Sequence, residues 1–391
     1  MCLLHRFLGA SRQRPHDLKD KLSVPATDLV KRAYERIDPA LLTDYHTHVA
    51  GVGTSGAQVF VNPQMHSWAH PKQRFKLAAY LSAFGVRDAA RADQQVTERL
   101  ADLVRHNEWH GKHRILAFDQ HYTREGAVNI AKTQFYVSNE YVFNLAAQHP
   151  DLFEPVISVH PYRTDALAEL TKWAGRGGRL VKWLPNAMGI DPSDELCDPF
   201  YQKMRELNLV LLCHGGEEKA VEAEEDQKLG NPLLLRRPLE QGLKVIVAHC
   251  AGLGDNEDIE AKERPRRPNF EFFLRLMDEK KYQGFVFGDI AAMTQFNRIG
   301  HLKTVIQRDD LHQSLVNGSD YPLPAINILI RTKSLARAGF ITPEERGWLN
   351  EIYDFNPLLF DFVLKRCLVR PGTSKHLPVS VFHRNRILET V

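Results

Sequence analysis

His46 and His48 stand two residues apart in Leu41-Leu42-Thr43-Asp44-Tyr45-His46-Thr47-His48. In extended backbone that spacing puts both imidazoles on one side of the strand, so one cation can take a nitrogen from each. The pair alone is weak, because 18 histidines are spread over the chain. Three more residues strengthen it by where they fall. His214 ends the apolar run Val210-Leu211-Leu212-Cys213, His249 ends Val245-Ile246-Val247-Ala248, and Asp320 follows Val316-Asn317-Gly318-Ser319. Imidazoles and carboxylates bind divalent metals, and a carboxylate also accepts a proton from water, which nominates Asp320 as base. Taken singly, each histidine is equally a core or capping residue, and Asp320 a turn residue beside Gly, Ser and Pro.

Lys182 interrupts Leu180-Val181-Lys182-Trp183-Leu184, where an unpaired ammonium is costly to bury. Three arrangements would compensate it: carboxylation to an anionic ligand bridging two cations, contact with an anionic substrate, or a salt bridge without function. Other polar residues follow the apolar runs: Asp119, His121, His160, Arg163, Asn186, Glu217 and Asp289. Among them Arg163 has the fork to hold a substrate carboxylate, and His160 or His121 the donors to orient a carbonyl or leaving group. Each serves equally well as support for a ligand or a loop. Asn186 completes the expected substrate-binding set on this side.

These positions need a scaffold that brings strand ends together. Eight short apolar runs supply it: one from Leu41, then His113 to Phe118, Pro155 to His160, Leu180 to Leu184, Leu209 to His214, Lys244 to His249, Gly284 to Phe287 and Ser314 to Asn317. Amphipathic segments lie between many of them, including Ala166 to Ala174, Phe200 to Glu206, Leu233 to Gln241 and Phe270 to Glu279. Repeated β-to-α units with room for crossovers predict an α/β fold, a parallel (β/α)8 TIM barrel whose chemistry sits at the carboxyl ends of the strands. A bare barrel needs about 250 residues, so this chain of 391 carries an excess. It is expected as an insertion after the first strand, 50–110, and a helical carboxyl-terminal extension with a wrapping tail, 331–391. The barrel then spans about 41–330 of a single domain, 1–391. A further helix, Ala26 to Ile37, precedes it. The insertion leaves from the ligand-bearing end, so it should cover that mouth and offer substrate a side chain, Trp68 or His66.

Composition narrows the partners. With 51 basic against 48 acidic side chains the formal charge is only +3, and the densest basic stretch, Lys262 to Arg267, lacks interleaved aromatics, so it reads as a solvated loop and not a nucleic-acid surface. The odd set Cys2, Cys197, Cys213, Cys250 and Cys367 is no disulfide framework; packing thiols in a reducing compartment are expected. Met1 to Ala10 is broken by His5 and Arg6 and lacks the apolar core of a secretory signal, and no apolar run reaches the roughly 18 residues of a membrane helix. A cytoplasmic protein acting on a small molecule, with a homodimer as the commonest assembly, is the expectation.

With these residues in place the sequence resembles the amidohydrolase superfamily, in the branch of predicted metal-dependent hydrolases that also holds decarboxylases and lactonases. The resemblance runs over about Leu41 to Pro322. It rests on Asp44-Tyr45-His46-Thr47-His48, Lys182, His214, Ala248-His249-Cys250-Ala251-Gly252 and Gly318-Ser319-Asp320-Tyr321-Pro322. It implies that His46, His48 and Asp320 hold one divalent ion and that His214 holds that ion or a second. His249 would bind a second ion or, in a one-ion centre, contact substrate and water. Three or four histidines with a carboxylate suit Zn2+, with Mn2+, Fe2+ and Ni2+ as alternatives, one ion or two. The reaction expected first is hydrolysis of a small ester, lactone or amide, with Asp320, His249 and Lys182 as catalytic residues. Non-oxidative decarboxylation of an aromatic or unsaturated acid, and noncatalytic binding by a retained barrel, are the alternatives.

Overall fold

The structure is a computed structural model that describes residues 13–389 apart from Ser55, Ala57, Glu108 and Glu222. Cys2, the Met1 to Ala10 stretch and Ser55 of the glycine-rich loop lie outside the described residues.

Each apolar run becomes a strand. They are β1 (Thr43–His48), β2 (Lys112–Leu116), β3 (Phe153–Val156), β4 (Leu180–Trp183), β5 (Val210–His214), β6 (Val245–Ala248), β7 (Val286–Asp289) and β8 (Leu315–Val316). Strands β1 to β3 form one parallel ladder and β4 to β8 another. Two seams join them. Ile157 N donates to Leu180 O (3.0 Å) and Lys182 N to Ile157 O (2.7 Å); Tyr45 N donates to Asn317 O (2.9 Å) and Asp320 N to His46 O (2.7 Å). The eight strands therefore close into the (β/α)8 TIM barrel, and no strand is left as an unpaired edge.

Alternation sorts the side chains into two layers. Leu116, Val156, Leu180, Val210, Leu212, Ile246, Phe287 and Val316 fill the interior. Val181, Trp183, Leu211, Cys213, Val245 and Val247 pack outward in the layer that meets the helices. Among the described residues the helices of nine residues or more are α1 (Val24–Tyr34), α2 (Pro71–Ala83), α3 (Ala92–Arg105), α4 (Asn139–Gln148), α5 (Ala166–Gly175), α6 (Asp198–Glu206), α7 (Asn269–Asp278), α8 (Ile299–Gln307), α9 (Pro343–Phe355) and α10 (Pro357–Cys367). The expected helix Leu233 to Gln241 is instead a 3-10 turn, Pro232–Leu235, followed by a short helix, Arg236–Glu240. Pro238 lacks the amide that would have bonded back to Leu234. Arg266–Pro268, expected as loop, pairs antiparallel with Asp255–Glu257 in a small ribbon.

The insertion supplies α2 and α3 and packs on the ligand-bearing end: the Tyr80 hydroxyl of α2 donates to Ala220 O beyond β5 (2.9 Å), and the Phe84 ring meets Tyr321 beyond β8 edge-on at 5.4 Å. The opposite mouth is stopped by the carboxyl-terminal tail. Leu388 enters the interior layer, and Arg114 of β2 binds Glu154 (3.2 Å) and Glu389 (2.5 Å) while stacking over Tyr45 at 4.2 Å. The four described cysteines are buried and free. No helix among the described residues is long and apolar enough to cross a membrane.

Candidate metal centre

A bulge in β1 sets the site. Asp44 pairs with His113 and Thr47 with Ile115, so Tyr45 and His46 together face Arg114 alone. The extra residue lets Tyr45 point into the barrel toward its closed mouth while His46 and His48 converge at the other. Asp44 holds the bulge, its carboxylate accepting from His46 N (2.9 Å) and Ser319 N (3.0 Å), and so ties β1 to the chain leaving β8. Gly318 makes that approach possible, because a Cβ there would lie 2.7 Å from the His46 Cβ.

On this frame His46 Nε2 and His48 Nε2 come within 3.2 Å, His48 Nε2 lies 3.2 Å from Asp320 Oδ1, and His46 Nε2 lies 3.5 Å from the same oxygen. The His46 Nδ1–H donates to Asp289 Oδ2 at 2.9 Å, which leaves the Nε2 lone pair directed into the cluster. Burial is the largest cause holding the His46 pKa down to about 4, with the Lys182 charge adding to it, so this imidazole is neutral near pH 7 and able to bind a cation. Asp289 Oδ1 also accepts from His249 N (2.7 Å) and Ala291 N (3.0 Å). These bonds steady a turn in which His249, Cys250 and Ala251 are left-handed, each at φ 49°, a conformation costing roughly 1–2 kcal/mol per residue.

His249 Nε2 sits 3.4 Å from Asp320 Oδ2, so the two carboxylate oxygens face different partners. Burial would raise the Asp320 pKa, but the imidazoles of His46, His249 and His48 hold it well below the usual carboxylate range. The His214 ring meets that of His249 at 4.9 Å, and its buried Nε2 makes no hydrogen bond, its nearest carboxylate being Glu218 at 3.6 Å. Lys182 is fully buried with Nζ 3.2 Å from His46 Nε2, and burial pushes its pKa down despite Asp289 and Asp320. Ligand atoms of His46, His48 and Asp320 all lie within 4.8 Å of one another. Two imidazole lone pairs and an anionic oxygen facing one point fit a divalent cation, and the unpartnered His214 Nε2 fits as a further donor.

The expected substrate-binding residues fare differently. Arg163 is neutralised by Asp119 (3.1 Å) and Asp165 (2.8 Å). Both ring nitrogens of His160 are used, Nε2–H donating to Met188 O (2.8 Å) and Nδ1 accepting from Tyr162 N (3.1 Å). Asn186 donates to Gly216 O and to Gln227, and His121 packs its ring against Gly189. Arg163, His160 and Asn186 are thus engaged by the loops after β2 to β5, while His121 keeps a buried Nδ1 with no hydrogen-bond partner among the described residues. Trp68 stands 81% exposed with Arg74 stacked 3.7 Å above its ring, and His66 is exposed too, so neither joins the cluster. Glu217, the expected pocket acid, pairs with Lys219, while its neighbour Glu218 is the buried one. Sequence reasoning also passed over Tyr80 and Arg298, which have no strand-end position to flag them.

The sequence matches the amidohydrolase family profile over residues 43–325. The chain belongs to the amidohydrolase family. No curated protein matches it significantly in sequence. Solved structures similar to this amidohydrolase include an uncharacterised TIM-barrel protein of Bordetella bronchiseptica, 17% identical over 72% of this chain and 86% of that one with a TM-score of 0.47. Others are 4-oxalomesaconate hydratase of Rhodopseudomonas palustris (16%; 80% and 95%; TM-score 0.41) and 5-carboxyvanillate decarboxylase of Sphingomonas paucimobilis (13%; 81% and 100%; TM-score 0.44).

Proposed function

We propose that the chain is a metal-dependent hydrolase that cleaves a C–O or C–N bond in a small ester, lactone or amide. The observation carrying this reading is the convergence of His46, His48 and Asp320 on one point while the second Asp320 oxygen faces His249. A divalent ion held by His46, His48, Asp320 and His214, Zn2+ by its ligand chemistry, would acidify a water and polarise the scissile carbonyl. Asp320, ionised at neutral pH, accepts the water proton and passes it toward the leaving group, with His249 as the hydrogen-bonding partner at its Oδ2. Asp289 keeps the His46 lone pair pointed into the cluster. Burial favours the neutral amine of Lys182, the form that takes up carbon dioxide; as a carbamate it would supply anionic oxygens for a second ion beside His214 and His249. Left unmodified where it stands, its amine occupies the His46 lone pair, so metal binding requires it to turn aside or be carboxylated.

The test is turnover of ester, lactone and amide panels by the metal-loaded protein, with carbon dioxide followed in parallel. Hydrolysis abolished by chelation and by D320N supports the proposal. Carbon dioxide release without water addition would replace it with a lyase.

A further inference from the structure

We infer that Arg298 anchors a carboxylate of the substrate, so that the compounds turned over are carboxylated esters, lactones or amides; this deepens the hydrolase reading and rests on it. Arg298 is only 6% exposed, its Nη1 donates to Gln295, its Nε is buried with no hydrogen-bond partner, and among the described residues no carboxylate lies within ion-pair distance of it. Arg114 and Arg163, two other arginines drawn into the barrel and its rim, each have two carboxylate partners. A guanidinium stays charged, and burying one without a counterion is unfavourable unless an anion arrives.

Its position fits a substrate. Arg298 lies nine residues beyond Asp289, immediately before α8, on the ligand-bearing end. Its stem passes over Gly252, three residues past His249, where a Cβ would sit 3.4 Å from Arg298 Cδ. Asp320, Glu218 and Asp289 lie within electrostatic reach of its charge. Those same acids favour a planar monoanion over a phosphate dianion, whose second charge they would repel.

Calorimetry with benzoate, glutarate, benzamide and inorganic phosphate, on zinc-loaded wild type, R298M and R298K, tests this. The expected result is carboxylate binding at least tenfold tighter in wild type than in either variant, phosphate weaker than the carboxylates, and benzamide indifferent to residue 298. Metal content and circular dichroism establish that a variant is intact. In parallel, mono(4-nitrophenyl) glutarate and 4-nitrophenyl butyrate compare a charged with a neutral ester, the charged one alone losing KM in the variants. Equal carboxylate affinity in intact wild type and R298M, or tighter phosphate binding, overturns the inference even if neutral esters are hydrolysed. Carboxylate binding that depends on Arg298 without hydrolysis of any ester upholds the anchor and sinks the hydrolase reading. Should both variants misfold, 4-iodobenzoate located crystallographically in wild type decides: its carboxylate on Arg298 supports the anchor, and a position elsewhere overturns it.

Discussion

At the scale of single residues, Asp320 and His46 do different work, and their variants should separate. H46A removes a ligand that alanine cannot replace, so metal and activity should fall together; D320N keeps a weak oxygen ligand without the base, so metal should be retained better than turnover. Metal analysis beside kinetics checks this, and normal turnover by either metal-loaded variant would contradict the assignment. D289N should weaken metal affinity by about 10–100-fold, because it loses the anion that orients the His46 ring; a chelator titration reads it. The candidate ligands were legible in the sequence, His46 and His48 by their two-residue spacing and His214, His249 and Asp320 by following apolar runs. Glu218 and Arg298 were not: beyond Gly215-Gly216 and beyond Asp289 the chain has left the strand, and period-two alternation no longer says which neighbour turns inward. For Arg163 the strand-end position was plain in the sequence but its partners Asp119 and Asp165 were not.

The elements came through more completely than their joints. All eight strands follow apolar runs, since burial on both faces leaves a continuous signal. The β1 bulge is a property of pairing with β2, which one strand's sequence does not contain. The same holds for α10, where Lys365 donates to Gly318 O (2.6 Å) and to Asp361 (2.6 Å) in a buried pair beneath the β8 end. K365M should therefore destabilise the fold by about 3–5 kcal/mol, because it strands a buried carboxylate. Urea denaturation measures this, and adding D361L should recover part of the loss. A loss under 1 kcal/mol for K365M would show that the pair is not what fastens α10 to the strand that delivers Asp320.

For the whole molecule, one barrel carries the His46, His48 and Asp320 cluster at one mouth and a plug at the other. At the plug Leu388 enters the interior, and Glu389 reaches Arg114 and Tyr45, residues more than 270 positions away in the chain. Acid should loosen this structure. His160 is held neutral by burial, its pKa lowered to about 3, whereas the unfolded chain takes up that proton near pH 6.5. Between those values the unfolded state binds more protons, so unfolding becomes easier as pH falls. The melting temperature should drop steadily from pH 7 to pH 5, and H160Q should flatten the slope. No change over that window would contradict the neutral, buried assignment.

The most direct test of a metal centre at this barrel mouth is anomalous diffraction at the zinc edge from crystals of zinc-loaded protein. The predicted result is a strong peak bound by His46 Nε2, His48 Nε2 and Asp320, with His214 turned toward it or toward a second peak bridged by Lys182. Crystals of fully zinc-treated protein with no peak inside that cluster, or with zinc only at surface residues, would contradict it.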